Sequence, residues 1–129
     1  MSGELRFTIV DVFARARYQG NPLAVVRGRG AGALSGPEMQ SIAREMNYSE
    51  TTFLLAERPG QGGFPVRIFT PAEEVPFAGH PTLGTAFVIR EEILQREVER
   101  IDLALKVGSI PVSFEGPSML WMMSLIHIS

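Results

Sequence analysis

The chain has 129 residues, 45% of them hydrophobic and 20% charged, the proportions of one ordinary folded domain rather than a disordered or membrane-spanning chain. Its formal net charge of −2 offers no electrostatic case for a nucleic acid or an anionic membrane as partner, because the early arginines (Arg15, Arg17, Arg27, Arg29) are balanced by acids elsewhere. There is no cysteine, which excludes disulfides, thiolate metal sites and cysteine catalysis; with no signal-peptide pattern in Met1 to Phe7, the expected location is the cytoplasm.

In chain order, Leu5, Phe7 and Ile9 alternate with Arg6, Thr8 and Val10, a period-two strand running to about Phe13 with its greasier face on the first three. Gly20-Asn21-Pro22 reads as a break, and Leu23 to Val26 as a short buried strand. Gly28, Gly30 and Gly32 then make a connector without periodicity. Ser35 and Glu38 have capping-box spacing, and Leu34 and Met39 fit a hydrophobic staple. Met39, Ile42, Ala43 and Met46 follow on one helical face, with Gln40, Arg44 and Glu45 left to water and Asn47 as the stop.

Glu50 to Leu55 is the next strand, and Pro59 to Gly63 a turn. Phe64, Val66 and Ile68 alternate in another strand, and Thr70 to Pro76 is a proline-bounded loop. A second helix is expected to start near Pro81, a residue suited to the first helical turn. From Leu83 to Ile89 it is apolar nearly all round, the mark of a buried helix, and past Arg90 it turns charged and emerges into solvent. Ile101, Leu103, Leu105 and Val107 alternate, Gly108-Ser109 reads as a two-residue hairpin turn, and Ile110, Val112 and Phe114 return. Short strands around a wholly buried helix imply a sheet rolled around that helix.

Thr70 to Ala86 is the most informative stretch for chemistry. A Gly-rich turn there opens onto the N-terminus of the buried helix, where free amides and the helix dipole attract an anion such as a carboxylate. Gly79 allows close approach, and His80 at that end could donate a hydrogen bond or shuttle a proton; the plainer reading is a histidine that merely precedes a helix-starting proline. Glu50 opens a strand that is otherwise Thr, Phe and Leu, so its carboxyl sits at the mouth of an apolar sheet and suits general acid–base work. Taken locally, a solvated strand-end glutamate is the commoner case. Asp11 reads as a carboxylate accepting loop amides, Asn21 as a turn residue that could also orient a substrate group, and Glu73 and Glu74 as solvated loop acids. Glu50 and His80 have no metal-ligand spacing and no third ligand nearby, and His127 carries no role.

These strings in this order resemble the PhzF family: Asp11-Val12-Phe13, Gly20 to Val25, Met39 to Asn47, Ser49-Glu50-Thr51-Thr52-Phe53, Arg67 to Pro71, and Pro76 to Ala86. The match runs from about Phe7 to Phe114 and fades at Trp121-Met122. The resemblance implies an α+β fold, one half of a diaminopimelate epimerase-like protein: a curved, mostly antiparallel sheet or barrel wrapped around a central buried helix. It also implies a cofactor-independent isomerase acting by proton transfer on a small carboxylated metabolite. Glu50 corresponds to the family's acid–base glutamate, His80 to its substrate-contacting histidine, and Gly79 lies beside it. The two-thiol chemistry of the diaminopimelate enzyme is excluded for this half, since it holds no cysteine.

Family members continue into a second half that supplies an acid, a serine and a further backbone anion site. Ser124 to Ser129 does not resemble that continuation. The expected organisation is therefore a family-like N-terminal domain over residues 1–118 and an atypical tail over 119–129, with the second domain absent and half an active site present. Two alternatives stand beside the isomerase fragment: a non-catalytic domain of the same fold, and a homodimer that rebuilds a two-walled cleft, with the apolar Met119 to Met123 favouring pairing.

Overall fold

The computed structural model describes residues 4–13 and 20–114, with backbone alone at 11–13, 20 and 21. Seven strands form one sheet: β1 (Arg6–Phe13), β2 (Gly20–Arg27), β3 (Glu50–Leu54), β4 (Phe64–Phe69), β5 (Glu74–Val75), β6 (Arg100–Leu105) and β7 (Gly108–Ser113). Their order is β1-β2-β3-β4-β6-β7, with β5 alongside β4. The β2–β3 and β4–β6 pairs are parallel, and the other four are antiparallel. Helix α1 (Gly36–Met46) crosses between β2 and β3 on one face of the sheet, and α2 (Gly79–Val88) lies against the other.

Local chemistry sets the ends of α1. The Ser35 hydroxyl accepts the Glu38 amide at 3.2 Å and the Glu38 carboxylate accepts the Ser35 amide at 2.8 Å, which completes the capping box. Asn47 closes the helix in the left-handed region at φ 58°, one of the conformations asparagine tolerates best. Met39 and Ala43 are buried with Val26, Phe53 and Phe69, and the Phe53 and Phe69 rings meet edge to face with centroids 5.4 Å apart.

Helix α2 is the inner core. Leu83, Ala86 and Ile89 pack with Leu54, Ile68, Leu103 and Ile110, while Val88 packs with Leu23, Val25 and Val10. One helix thus touches the β1–β2 end of the sheet and the β6–β7 end, so the sheet is curved around it. Thr52 on β3 and Thr85 on α2 share a buried hydroxyl hydrogen bond of 2.8 Å, which satisfies two polar groups in an apolar contact.

Several expectations need correction. Gly20 to Pro22 are paired with Phe13 to Asp11 in β2 rather than forming a break; the β2–β3 ladder begins only at Leu23, so Pro22 lies clear of it. Phe7 and Ile9 stand out at 46% and 48% exposure, because the α2 face of this edge strand is taken by Val10 and by Thr8, whose hydroxyl bonds Glu92. The glycine connector contains a 3-10 turn at Ala31–Ala33, and the second helix starts at Gly79, two residues before Pro81. Arg90 itself is buried in the π-helical turn Ile89–Leu94 that extends α2, and past it Glu91 and Glu92 reach solvent, as expected. The last hairpin turns at Lys106-Val107, two residues early, with Gly108 taking φ 129° opposite Leu105.

Candidate active site

Glu50 is the first residue of β3 and pairs with Leu23 of β2. Side chains alternate along a strand, so Glu50 faces the same way as Thr52 and Leu54. Those two contact α2, through Thr85 and through the cluster around Leu83 and Ala86 respectively. Glu50 therefore projects onto the inner face, where it is half-buried at the end of its strand.

The start of α2 is reached through β5. Thr51 pairs with Phe69, and Phe69 with Glu74, so the strand leading into α2 is separated from the opening of β3 by β4. Gly79 follows Val75 by four residues, a reach of roughly 14 Å at most. No side chain caps this helix end. Thr82 makes the first intrahelical bond, its amide to the Ala78 carbonyl at 3.3 Å, and its hydroxyl reinforces it at 2.7 Å. That leaves the Gly79 and His80 amides without partners among the described residues, while Pro81 has none to leave. A methyl group built on Gly79 would meet nothing within 4 Å, so open space adjoins those amides. His80 is exposed.

The register thus places Glu50 on the face of the sheet that α2 covers, while Gly79 and His80 form the uncapped start of that helix. Asn21 sits in β2 opposite Val12, with its side chain outside the described residues, as is that of Asp11. His127, Met119 to Met123 and the whole 119–129 tail also lie outside them. Among the described residues no group of three or more His, Asp and Glu could hold a metal ion, and no helix is long and apolar enough to cross a membrane. Clefts of about 520 Å³ beside Phe64, Leu94 and Val98, and about 560 Å³ beside Arg6, Arg29 and Arg58, include neither Glu50 nor His80.

Two residues assigned to solvent prove otherwise. Glu74 accepts both Arg67 Nε and Nη2, at 2.9 and 2.8 Å, and the Arg67 hydrogen bond holds its carboxyl below the usual carboxylate range. Gln40 is half-buried and donates its side-chain amide to the Thr70 and Pro71 carbonyls. Glu73 is exposed, as expected. No local signal marks Glu74: the two-residue β5 sets it opposite Phe69, on the same face as Arg67.

A family model of phenazine biosynthesis-like proteins, PhzC-PhzF, matches residues 10–122. The chain belongs to this family. A PhzF relative from Pseudomonas aeruginosa, trans-2,3-dihydro-3-hydroxyanthranilate isomerase, is 46% identical over 111 residues, covering 85% of this chain and 37% of its own length. Among solved structures, a PhzC/PhzF protein from Clostridium difficile superposes with a TM-score of 0.73 at 34% identity, over 88% of this chain and 41% of that one. A predicted epimerase from Pseudomonas aeruginosa gives 0.67 at 35% identity, over 88% and 40%. The chain thus spans about two fifths of the length of the PhzF proteins it matches, and its fold is the α+β, diaminopimelate epimerase-like half expected from the sequence.

Proposed function

We propose that this chain supplies one wall of an acid–base isomerase site of the PhzF type. In this reading the Glu50 carboxylate takes a proton from a carbon acid. The electron pair left behind shifts along the substrate's conjugated bonds, and Glu50 returns the proton at another carbon. Nothing is oxidised or reduced, and the chemistry calls for no cofactor. The substrate is a small carboxylated metabolite whose carboxylate rests against the Gly79 and His80 amides at the positive end of α2. The His80 ring donates a hydrogen bond to it, and Asn21 orients a polar group. The opposite wall comes from elsewhere, either the remainder of a longer chain or a second copy, and the setting is the cytoplasm.

One observation supports this reading: the acidic side chain at the start of β3 points to the face that α2 covers, and the start of α2 has no side-chain cap. A second reading, the same fold without turnover, is favoured by the exposure of His80 and the half-burial of Glu50. Deuterium incorporation from heavy water into a dihydro-hydroxyanthranilate separates the two. The isomerase reading expects incorporation, by this chain or by a form extended with a second half, that falls at least a hundredfold in Glu50→Gln. Incorporation that persists in that variant removes Glu50 from the mechanism. None in either form leaves the fold without turnover, and incorporation that rises with the square of the short chain's concentration points to paired copies.

A further inference from the structure

Three separate elements converge on the segment that delivers α2. From β4, Arg67 engages both carboxylate oxygens of Glu74, and from the β6–β7 turn Lys106 approaches the same carboxylate at 3.3 Å. From α1, Gln40 Nε2 donates to the carbonyls of Thr70 at 2.9 Å and Pro71 at 3.1 Å. Within the segment, the Thr70 hydroxyl accepts the amides of Ala72 and Glu73, each at 3.1 Å, and the Thr70 amide bonds the Glu73 carbonyl at 2.8 Å. The guanidinium is itself fixed: it lies 5.6 Å from the Phe69 ring centroid, and a Cβ on Gly36 would stand 3.4 Å from Nη2.

We propose that Glu74 is a positioning residue of the site, clamping the 70–78 segment so that the Gly79–His80 end of α2 stays on the face of Glu50. The inference rests on the proposed site above and adds what keeps its two parts in register. β5 is only two residues long, and its backbone pairing with β4 is too short to hold a loop by itself. A single exposed ion pair would add little. Glu74 differs in being 16% exposed, doubly bonded by a planar fork and supported by a second cation. Gly79 lies five residues on from Glu74, with no side-chain cap at the helix start and Val75, Phe77 and Ala78 packed on the core between them.

The test compares the chain with Glu74→Gln, Glu74→Asp and Arg67→Lys by amide hydrogen exchange and by nuclear magnetic resonance. In Glu74→Gln, protection of the Thr70 and Thr82 amides is expected to fall at least tenfold, with the Gly79 and His80 resonances shifted or broadened. Val25 and Val26 in β2 should keep their protection. Glu74→Asp, which retains the charge, should recover part of the loss, and Arg67→Lys, which loses the fork, should fall between. Unchanged protection and resonances in Glu74→Gln overturn the proposal. So does a uniform loss across β2 as well, which would mark Glu74 as a general stabiliser; if that variant does not fold, Arg67→Lys gives the same comparison. The deuterium assay on the same samples keeps the two readings apart. Local loosening in a chain that never incorporates deuterium upholds the clamp and sinks the isomerase, whereas Glu50-dependent incorporation that Glu74→Gln leaves untouched, with protection intact, does the reverse.

Discussion

Gly79 is the residue at which space and chemistry can be separated. Its backbone is not left-handed and its missing side chain faces open volume, so Gly79→Ala should fold as well as the parent and melt within about 0.5 kcal/mol of it. If an anion rests against the neighbouring amides, the added methyl crowds it. Titration with anthranilate should then show weaker binding in the variant at unchanged stability; equal binding would move the anion seat elsewhere. Thr52 and Thr85 make the opposite case, with a polar pair and no room. Thr85→Val strands the Thr52 hydroxyl in the core and is expected to cost about 1–3 kcal/mol, whereas the double valine variant should recover most of it. Denaturant unfolding of the three proteins decides whether the hydroxyl pair acts as a unit. Glu74 adds a pH dependence of known sign. The Arg67 hydrogen bond holds its folded pKa below the ordinary carboxylate range, so the stabilisation it provides is complete above that range and lost as pH falls through the lower, folded pKa. Protection at Thr70 and Thr82, taken relative to the intrinsic exchange rate at each pH, should therefore fall selectively in acid, and Glu74→Gln should lack that response.

At the level of elements, α1 is the part whose design is most local. Ser35→Ala removes one half of the capping box and should cost about 1 kcal/mol, read as a lower midpoint in urea with an unchanged slope. Locality also explains what the sequence made legible. The capping box, the Asn47 stop, and the alternations in β4, β6 and β7 depend on neighbours within a few residues, and the structure agrees with each. The features that differ depend on partners distant in sequence. Nothing local in Phe7 and Ile9 says that Thr8 and Val10 will face α2 instead, because that choice is set by Glu92 and Val88, some eighty residues away. β5 is invisible to periodicity at two residues, so Glu74 reads as a loop acid until β4 is laid beside it. Gln40 falls on the polar side of α1, and only the folded loop supplies the carbonyls it binds. The candidate site divides the same way: the types of Glu50, Gly79 and His80 are apparent from the sequence, while the turning of Glu50 towards the α2 face follows from the β2–β3 register.

For the molecule as a whole, the curvature of the sheet around α2 ends on an unusual contact. Arg90 is buried at 2% exposure, its guanidinium 4.4 Å from the Phe114 ring centroid and 5.8 Å from that of Phe87, with Nε on Glu91 at 2.9 Å. Its Nη2 has no hydrogen-bond partner among the described residues. Stacking on two rings and a pair with a half-exposed carboxylate return part of the desolvation cost of that cation, but an unpaired buried N–H is a standing penalty. The side chain therefore serves closure mainly through its stem and its flat contact with Phe114, which joins the end of β7 to the end of α2. Arg90→Met keeps the volume and discards the charge, so it should leave stability unchanged or raise it by as much as about 1–4 kcal/mol. Arg90→Ala should destabilise by about 2–5 kcal/mol, because it opens a cavity beneath Phe114. A methionine variant weaker than the parent by more than about 1 kcal/mol in reversible unfolding would mean that the cation itself, rather than its bulk, closes the sheet around its helix.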